Sequence, residues 1–115
     1  MRILINGGTR GIGRELVLEF SRTSDNQVIV TGRNEKELKS LKAHGRNIFP
    51  YRFDITSDEK EHKLLADEIK SKTGKLDIMI NCAGYLKTRL FEDTDPEDVR
   101  MMMETNFFGP ARVIR

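Results

Sequence analysis

Asn6-Gly7-Gly8-Thr9-Arg10-Gly11-Ile12-Gly13 joins a short apolar run, Ile3-Leu4-Ile5, to a segment with helical spacing. A strand that passes into a helix over a few glycines has the pattern of a phosphate cradle. Glycine reaches positive φ without steric cost and, lacking a Cβ, lets a phosphate come close to the backbone. The helix that follows aims unpaired N–H groups and the positive end of its dipole at the anion. The spacing is G-x-x-x-G-x-G, through Gly7, Gly11 and Gly13. It differs from the G-x-G-x-x-G dinucleotide fingerprint and from the G-x-x-x-x-G-K-[ST] P-loop. Gly7 is assigned to the tight turn, Gly11 to the approach of a pyrophosphate and Gly13 to close packing of helix on strand. Gly8, Thr9, Arg10 and Ile12 complete the candidate cradle.

Outward from the cradle, strands and helices alternate. Strand one is expected from Arg2, directly behind Met1, with nothing ahead of the unit. The first helix carries Ile12, Leu16, Val17 and Phe20 on one face at helical spacing, and Ser21 to Asn26 is a polar stop. Val28-Ile29-Val30 suits a strand buried on both faces. A helix with Leu38 and Leu41 inward is expected to end near His44-Gly45, with Gly45 at C′. Ile48 to Phe53 reads as a third strand. Thr56-x-x-Glu59 has capping-box spacing and opens a helix with Leu64, Leu65 and Ile69 inward and Gly74 past its end. Leu76 to Ile80 is a fourth strand. Asp95-Pro96 then starts a last helix, with Pro at its first position and a kink expected at Gly109-Pro110. His44 and His62 fall on polar helix sides and are expected to face solvent.

This order predicts an α/β fold: a parallel sheet of four strands with helices on both faces, joined by right-handed crossovers. In such sheets ligands sit beyond the C-terminal ends of the strands, beside strand one. The cradle, Arg33, Asp54 and the segment Asn81 to Gly84 all fall there. Residues 1–115 are therefore read as one dinucleotide-binding unit.

Composition narrows the partners. Twenty basic against 18 acidic residues leave a formal charge of +2, which argues for neither nucleic acid nor an anionic membrane. The single cysteine, Cys82, excludes an internal disulfide, and no Cys/His spacing offers a metal site. No apolar run has the length of a membrane span. A reducing, cytoplasmic setting is expected.

Four of these stretches together resemble the short-chain dehydrogenase/reductase family. Asn6 to Gly13 is similar to its T-G-x-x-x-G-x-G signature, and Asn81-Cys82-Ala83-Gly84 to its N-N-A-G segment. Asp54, followed by Ile55, matches the Asp after strand three that contacts adenine, and Asn106 matches the Asn of the following helix. Asn6 stands where Thr or Ser is usual, but keeps a short polar side chain that can bond toward the segment after strand four. Cys82 replaces the second Asn and reads as a small buried filler.

The resemblance implies a Rossmann-type parallel sheet with strand order 3-2-1-4, incomplete on its C-terminal side, and a nicotinamide cofactor. NAD-selective sites place an acid at the end of strand two for the ribose 2′-OH. Here that strand ends Val30-Thr31-Gly32-Arg33, with no acid at its tip. Arg33 can pair bidentately with a phosphate, and Arg10 is a second basic position. NADP(H) is therefore expected in preference to NAD(H). The bound dinucleotide would rest on Gly7, Gly8, Thr9, Arg10, Gly11, Ile12, Gly13, Arg33, Asp54, Ile55, Asn81, Ala83 and Gly84.

The family reaction is carbonyl/alcohol interconversion on small substrates, run by a Ser and a Tyr-x-x-x-Lys pair with the helix Asn as fourth member. Of these only Asn106 is present, and it is the one candidate catalytic residue. Tyr85-x-x-x-Arg89 has a superficially similar spacing in the wrong element, and an Arg does not replace the Lys; Tyr85 is read as a loop aromatic at the crevice mouth. The chain is accordingly expected to be a truncated oxidoreductase, or one that pairs with a complementary piece or a second copy. The alternative is a non-catalytic dinucleotide-binding or interaction module. Val99, Met101, Met102, Met103, Phe107 and Phe108 make the last helix apolar, which fits packing against the sheet or a homo-oligomer contact.

Overall fold

The computed structural model describes residues 1–115. Its elements run β1 (Arg2–Asn6), α1 (Gly11–Ser21), β2 (Gln27–Gly32), α2 (Glu35–Lys42), β3 (Ile48–Arg52), α3 (Glu59–Thr73), β4 (Ile78–Asn81), α4 (Pro96–Met103) and α5 (Gly109–Ile114). A π-helical segment, Glu104–Phe108, links the last two helices. The strands form one parallel sheet, as the alternation of elements predicts, in the order β3-β2-β1-β4 that the family resemblance implies.

Side chains alternate faces along a strand, so β1 and β2 supply two core layers at once. Ile3, Ile5, Val28 and Val30 pack with Val17 of α1 and Leu38 and Leu41 of α2 on one face. Leu4 and Ile29 pack with Phe53, Ile55 and, from α3, Leu65 and Ile69 on the other. Burial of each such aliphatic side chain contributes about 1.5–3 kcal/mol. The edge strand β4 is covered less: Ile78, Met79 and Ile80 are only half-buried. Its approach is fixed by the Arg2 N–H, which donates to the Asp77 carboxylate at 2.7 Å. That hydrogen bond holds the Asp77 carboxyl below the usual carboxylate range.

Several local expectations are corrected. Ile12 is 79% exposed, because the helix turns this first-turn residue away from the sheet; α1 packs through Leu16, Val17, Leu18 and Phe20 instead. Leu64 is likewise exposed. Gly45 lacks positive φ, since α2 ends through Ala43 in ordinary right-handed backbone. Gly74, by contrast, takes φ 79 after α3.

The capping box at Thr56 does not form. Both the N–H and the hydroxyl of Thr56 donate to the Asp54 carboxylate, and α3 starts later with Asp58 as N-cap, accepting from the Glu61 N–H at 3.0 Å. The shift turns His62 inward, where it is 7% exposed. Its Nδ1–H donates to the Asp58 carbonyl at 2.9 Å, and its ring meets Phe53 edge to face.

The last helix does not lie flat on the sheet. Val99, Met101, Met103, Phe107 and Phe108 remain largely exposed. The helix widens at Glu104–Phe108 before Pro110 is reached. Gly109 then crosses the chain after β3 so closely that a methyl there would lie 2.5 Å from the Ile55 carbonyl oxygen. No helix is long and apolar enough to cross a membrane.

Candidate functional site

Parallel strands all end on the same side of the sheet, and the segments leaving β1, β2, β3 and β4 enclose a crevice of about 500 Å³. Gly7, Thr9 and Arg10 line it from the cradle, Gly32 and Arg33 from the end of β2, and Asp54 and Ile55 from beyond β3. Cys82, Ala83, Gly84 and Tyr85 close it from the segment after β4, with Met101 and Thr105 from the last helix. The four stretches singled out from sequence therefore meet. A cavity of about 520 Å³ between α3 and α5 is floored by apolar side chains, and none of the cradle residues lines it.

Each cradle glycine has its own steric reason. Gly7 adopts φ +74, and a methyl on it would sit 2.5 Å from the Ala83 nitrogen, so β1 and the segment after β4 touch backbone to backbone. Gly11 adopts φ +55 with open space where a Cβ would be, the geometry of a backbone that a ligand can approach. A methyl at Gly13 would run into the Gly7 carbonyl oxygen and press on the Cys82 Cβ, which keeps α1 tight on the turn. Gly8 faces inward: a methyl there would strike Val30 and Val17. It shapes the cradle from below.

The N-terminus of α1 has no side-chain cap and no acidic residue in its first turn. Its leading N–H groups and dipole are thus left for an anion.

A buried polar network fixes the crevice floor. Asn6, 1% exposed, accepts from the Thr31 hydroxyl at 2.8 Å and donates to the Asn81 side-chain oxygen at 2.8 Å. The Asn6 carbonyl accepts from the Cys82 N–H at 2.8 Å. The Thr31 carbonyl in turn takes the N–H groups of both Gly7 and Gly8. Three strand ends are thereby tied to the cradle, and the bond expected from Asn6 toward the segment after strand four is present. Asn81 belongs to β4 itself, paired with Asn6. Beside it, burial pushes the Cys82 thiol up from its ordinary pKa, which disfavours the reactive thiolate.

Asn106 lies in the π-helical segment and spends both ends of its amide on one neighbour. Its oxygen accepts from the Tyr85 N–H and its nitrogen donates to the Tyr85 carbonyl, each at 2.8 Å. The helix Asn thus clamps the Gly84–Tyr85 backbone. Helix widening of this kind is rare and concentrates at functional sites.

At the other end, Arg33 is exposed at the tip of β2, and its carbonyl accepts from Arg52 Nε at 3.4 Å. Arg10 is not free: its Nε lies 3.1 Å from Glu37 Oε1. Glu37, in the first turn of α2, lines the same crevice. Sequence reasoning looked for an acid only at the strand tip and missed it. The spacing Asn34-x-x-Glu37 could have revealed it, because a helix capped by Asn34 turns its third residue back toward the preceding loop.

Comparison with known proteins agrees with this architecture. The family model described as short chain dehydrogenase matches residues 1–115. The chain is 35% identical to the short-chain dehydrogenase fogD of Aspergillus ruber, over 96% of its own length and 38% of that protein. Among solved structures, ElxO with NADP bound superposes with a TM-score of 0.87 at 32% identity, covering 98% of this chain and 47% of that one. The F189W actinorhodin polyketide ketoreductase with NADPH gives 0.88 at 26% identity, covering 98% and 44%. The chain spans between 26% and 40% of the length of the curated relatives it matches. With a family model that matches from Met1 to Arg115 and a strand order and cradle to go with it, this chain belongs to the short-chain dehydrogenase/reductase family.

Proposed function

We propose that residues 1–115 are the NADP(H)-binding half of a short-chain oxidoreductase that interconverts carbonyl and alcohol groups on a small substrate. The observation that carries the reading is the uncapped N-terminus of α1. It stands behind Gly7 and Gly11 in left-handed backbone and opens on a crevice with Arg33 at its far end. A pyrophosphate fits the cradle from Gly7 to Gly13, Asp54 and Ile55 would hold the adenine, and Arg10 and Arg33 the 2′-phosphate. Asn81, Ala83 and Gly84 would line the path toward the nicotinamide.

When bound, the cofactor supplies or accepts hydride at its nicotinamide ring. This chain's residues bind and orient: Asn6 holds the floor, and Asn106 holds the Tyr85 backbone at the crevice wall. No Tyr-x-x-x-Lys occurs in the chain, so in this reading the proton-transferring groups come from polypeptide outside these residues. Titration of the purified chain with NADPH and NADH tests the proposal. The expected result is binding of both, tighter for NADPH, with no turnover of a generic ketone; absence of binding overturns it.

A second reading, a non-catalytic dinucleotide-binding or interaction module, draws on the exposed apolar side chains of Val99, Met103 and Phe107, spaced four residues apart along the last helix. Contiguous exposed apolar surface of this kind marks contact sites, here with a second copy or another member of the family. Sedimentation of the chain and of a Met103→Glu, Phe107→Glu variant, which leaves the crevice lining intact, discriminates: a dimer lost in the variant supports an association role.

A further inference from the structure

We infer that Glu37 is a counter-ion that a 2′-phosphate must displace from Arg10, so that this carboxylate sets how strongly the crevice prefers NADP(H) over NAD(H). The inference rests on the cofactor reading above and names a determinant that the basic residues alone do not supply.

Glu37 is held from both sides. Its N–H donates to the Asn34 side-chain oxygen at 3.2 Å, and the next residue, Leu38, is in the core. Its carboxylate is therefore fixed on a rigid helix turn, while its partner is mobile: the Arg10 side chain is 75% exposed, against 30% for Glu37. One oxygen pairs with Arg10 Nε at 3.1 Å. The other, Oε2, is buried and has no hydrogen-bond partner. A buried acceptor without a donor is unfavourable, and the arrangement persists because Arg10 lies against the carboxylate.

The charge balance follows directly. Arg10 and Arg33 both line the crevice, as does Glu37, so the three side chains present one net positive charge, not two. A phosphate monoester competes with the carboxylate for the same guanidinium, since each can offer two oxygens to the planar fork of Arg. A ribose hydroxyl does not compete. It leaves the Arg10–Glu37 pair intact. Glu37 therefore weakens the 2′-phosphorylated ligand selectively, and the crevice accommodates both cofactors with a narrowed preference.

The test is Glu37→Gln, with NADPH and NADH titrated separately. NADPH is expected to tighten about fivefold, the upper range for one exposed ion pair, while NADH does not tighten. Adding Arg10→Gln should abolish the gain. A Kd ratio unchanged by Glu37→Gln, or a gain that survives without Arg10, overturns the proposal. In the unmodified chain, the Arg10 Nε–H NMR resonance should move with 2′,5′-ADP and not with 5′-AMP; equal movement with both also overturns it. If neither cofactor binds the unmodified chain, the cofactor reading itself fails, whereas binding with an insensitive ratio removes only the role of Glu37.

Discussion

The Asn6 amide nitrogen stands 2.8 Å from the Asn81 side-chain oxygen, and through this contact two neighbouring strand ends share one buried polar link. The same Asn6 side-chain oxygen accepts a hydrogen bond from the Thr31 hydroxyl at 2.8 Å. Replacing Asn6 by Leu would preserve its bulk and strand the Thr31 hydroxyl. The expected cost is about 1–3 kcal/mol, the desolvation penalty of a buried group left unmatched. Urea unfolding measures it. Thr31→Val should cost less in the Asn6→Leu background than alone, because the two residues act as one network.

Gly11 and Gly13 separate ligand approach from packing. At Gly11 a methyl meets nothing but must take φ +55, so Gly11→Ala is expected to fold with a penalty of about 1–2 kcal/mol. It should nevertheless weaken NADPH and NADH alike by roughly tenfold. Gly13→Ala pushes a methyl into the Gly7 carbonyl, and overpacking there should destabilise the fold by about 1–3 kcal/mol. Thermal melts and cofactor titrations of the two variants read the contrast.

Arg33 carries the phosphate preference in the proposed site. Arg33→Asp is expected to weaken NADPH relative to NADH by at least roughly tenfold, about 1.4 kcal/mol. An unchanged ratio would show that the β2 tip does not touch the 2′ position.

Asp77 gives the fold a pH dependence of predictable sign. The Arg2 N–H stabilises the ionised carboxyl, so the folded protein binds this proton less readily than the unfolded chain does. The contribution is complete above about pH 4, the ordinary carboxylate range, and fades as the pH falls through the lower folded-state value. Asp77→Asn should lower the urea midpoint at pH 7, and the difference from the unmodified chain should shrink as the pH falls below the ordinary carboxylate range.

Much of this was legible from residues alone where a local rule and the global fold agree. Val28-Ile29-Val30 suited a strand buried on both faces and forms one, and Gly7 and Gly13 serve the turn and the helix packing to which their spacing assigned them. The errors sit where two local partners compete. Thr56 had the spacing of an N-cap, but the Asp54 carboxylate captured its hydroxyl and N–H, which delayed α3 and buried His62. Ile12 matched the apolar period of α1 and was turned outward by the cradle geometry.

From its sequence alone this chain is an α/β unit with a glycine-rich turn between its first strand and helix, because hydrophobic period, glycine spacing and the succession of elements are short-range properties of a polymer. Tertiary structure alone decided what lies opposite what. It set Glu37 against Arg10, Asn106 against the Tyr85 backbone and the Thr31 hydroxyl against Asn6. Each pairing joins residues from separate elements, and the distance between them exists only once the sheet has brought its strand ends together.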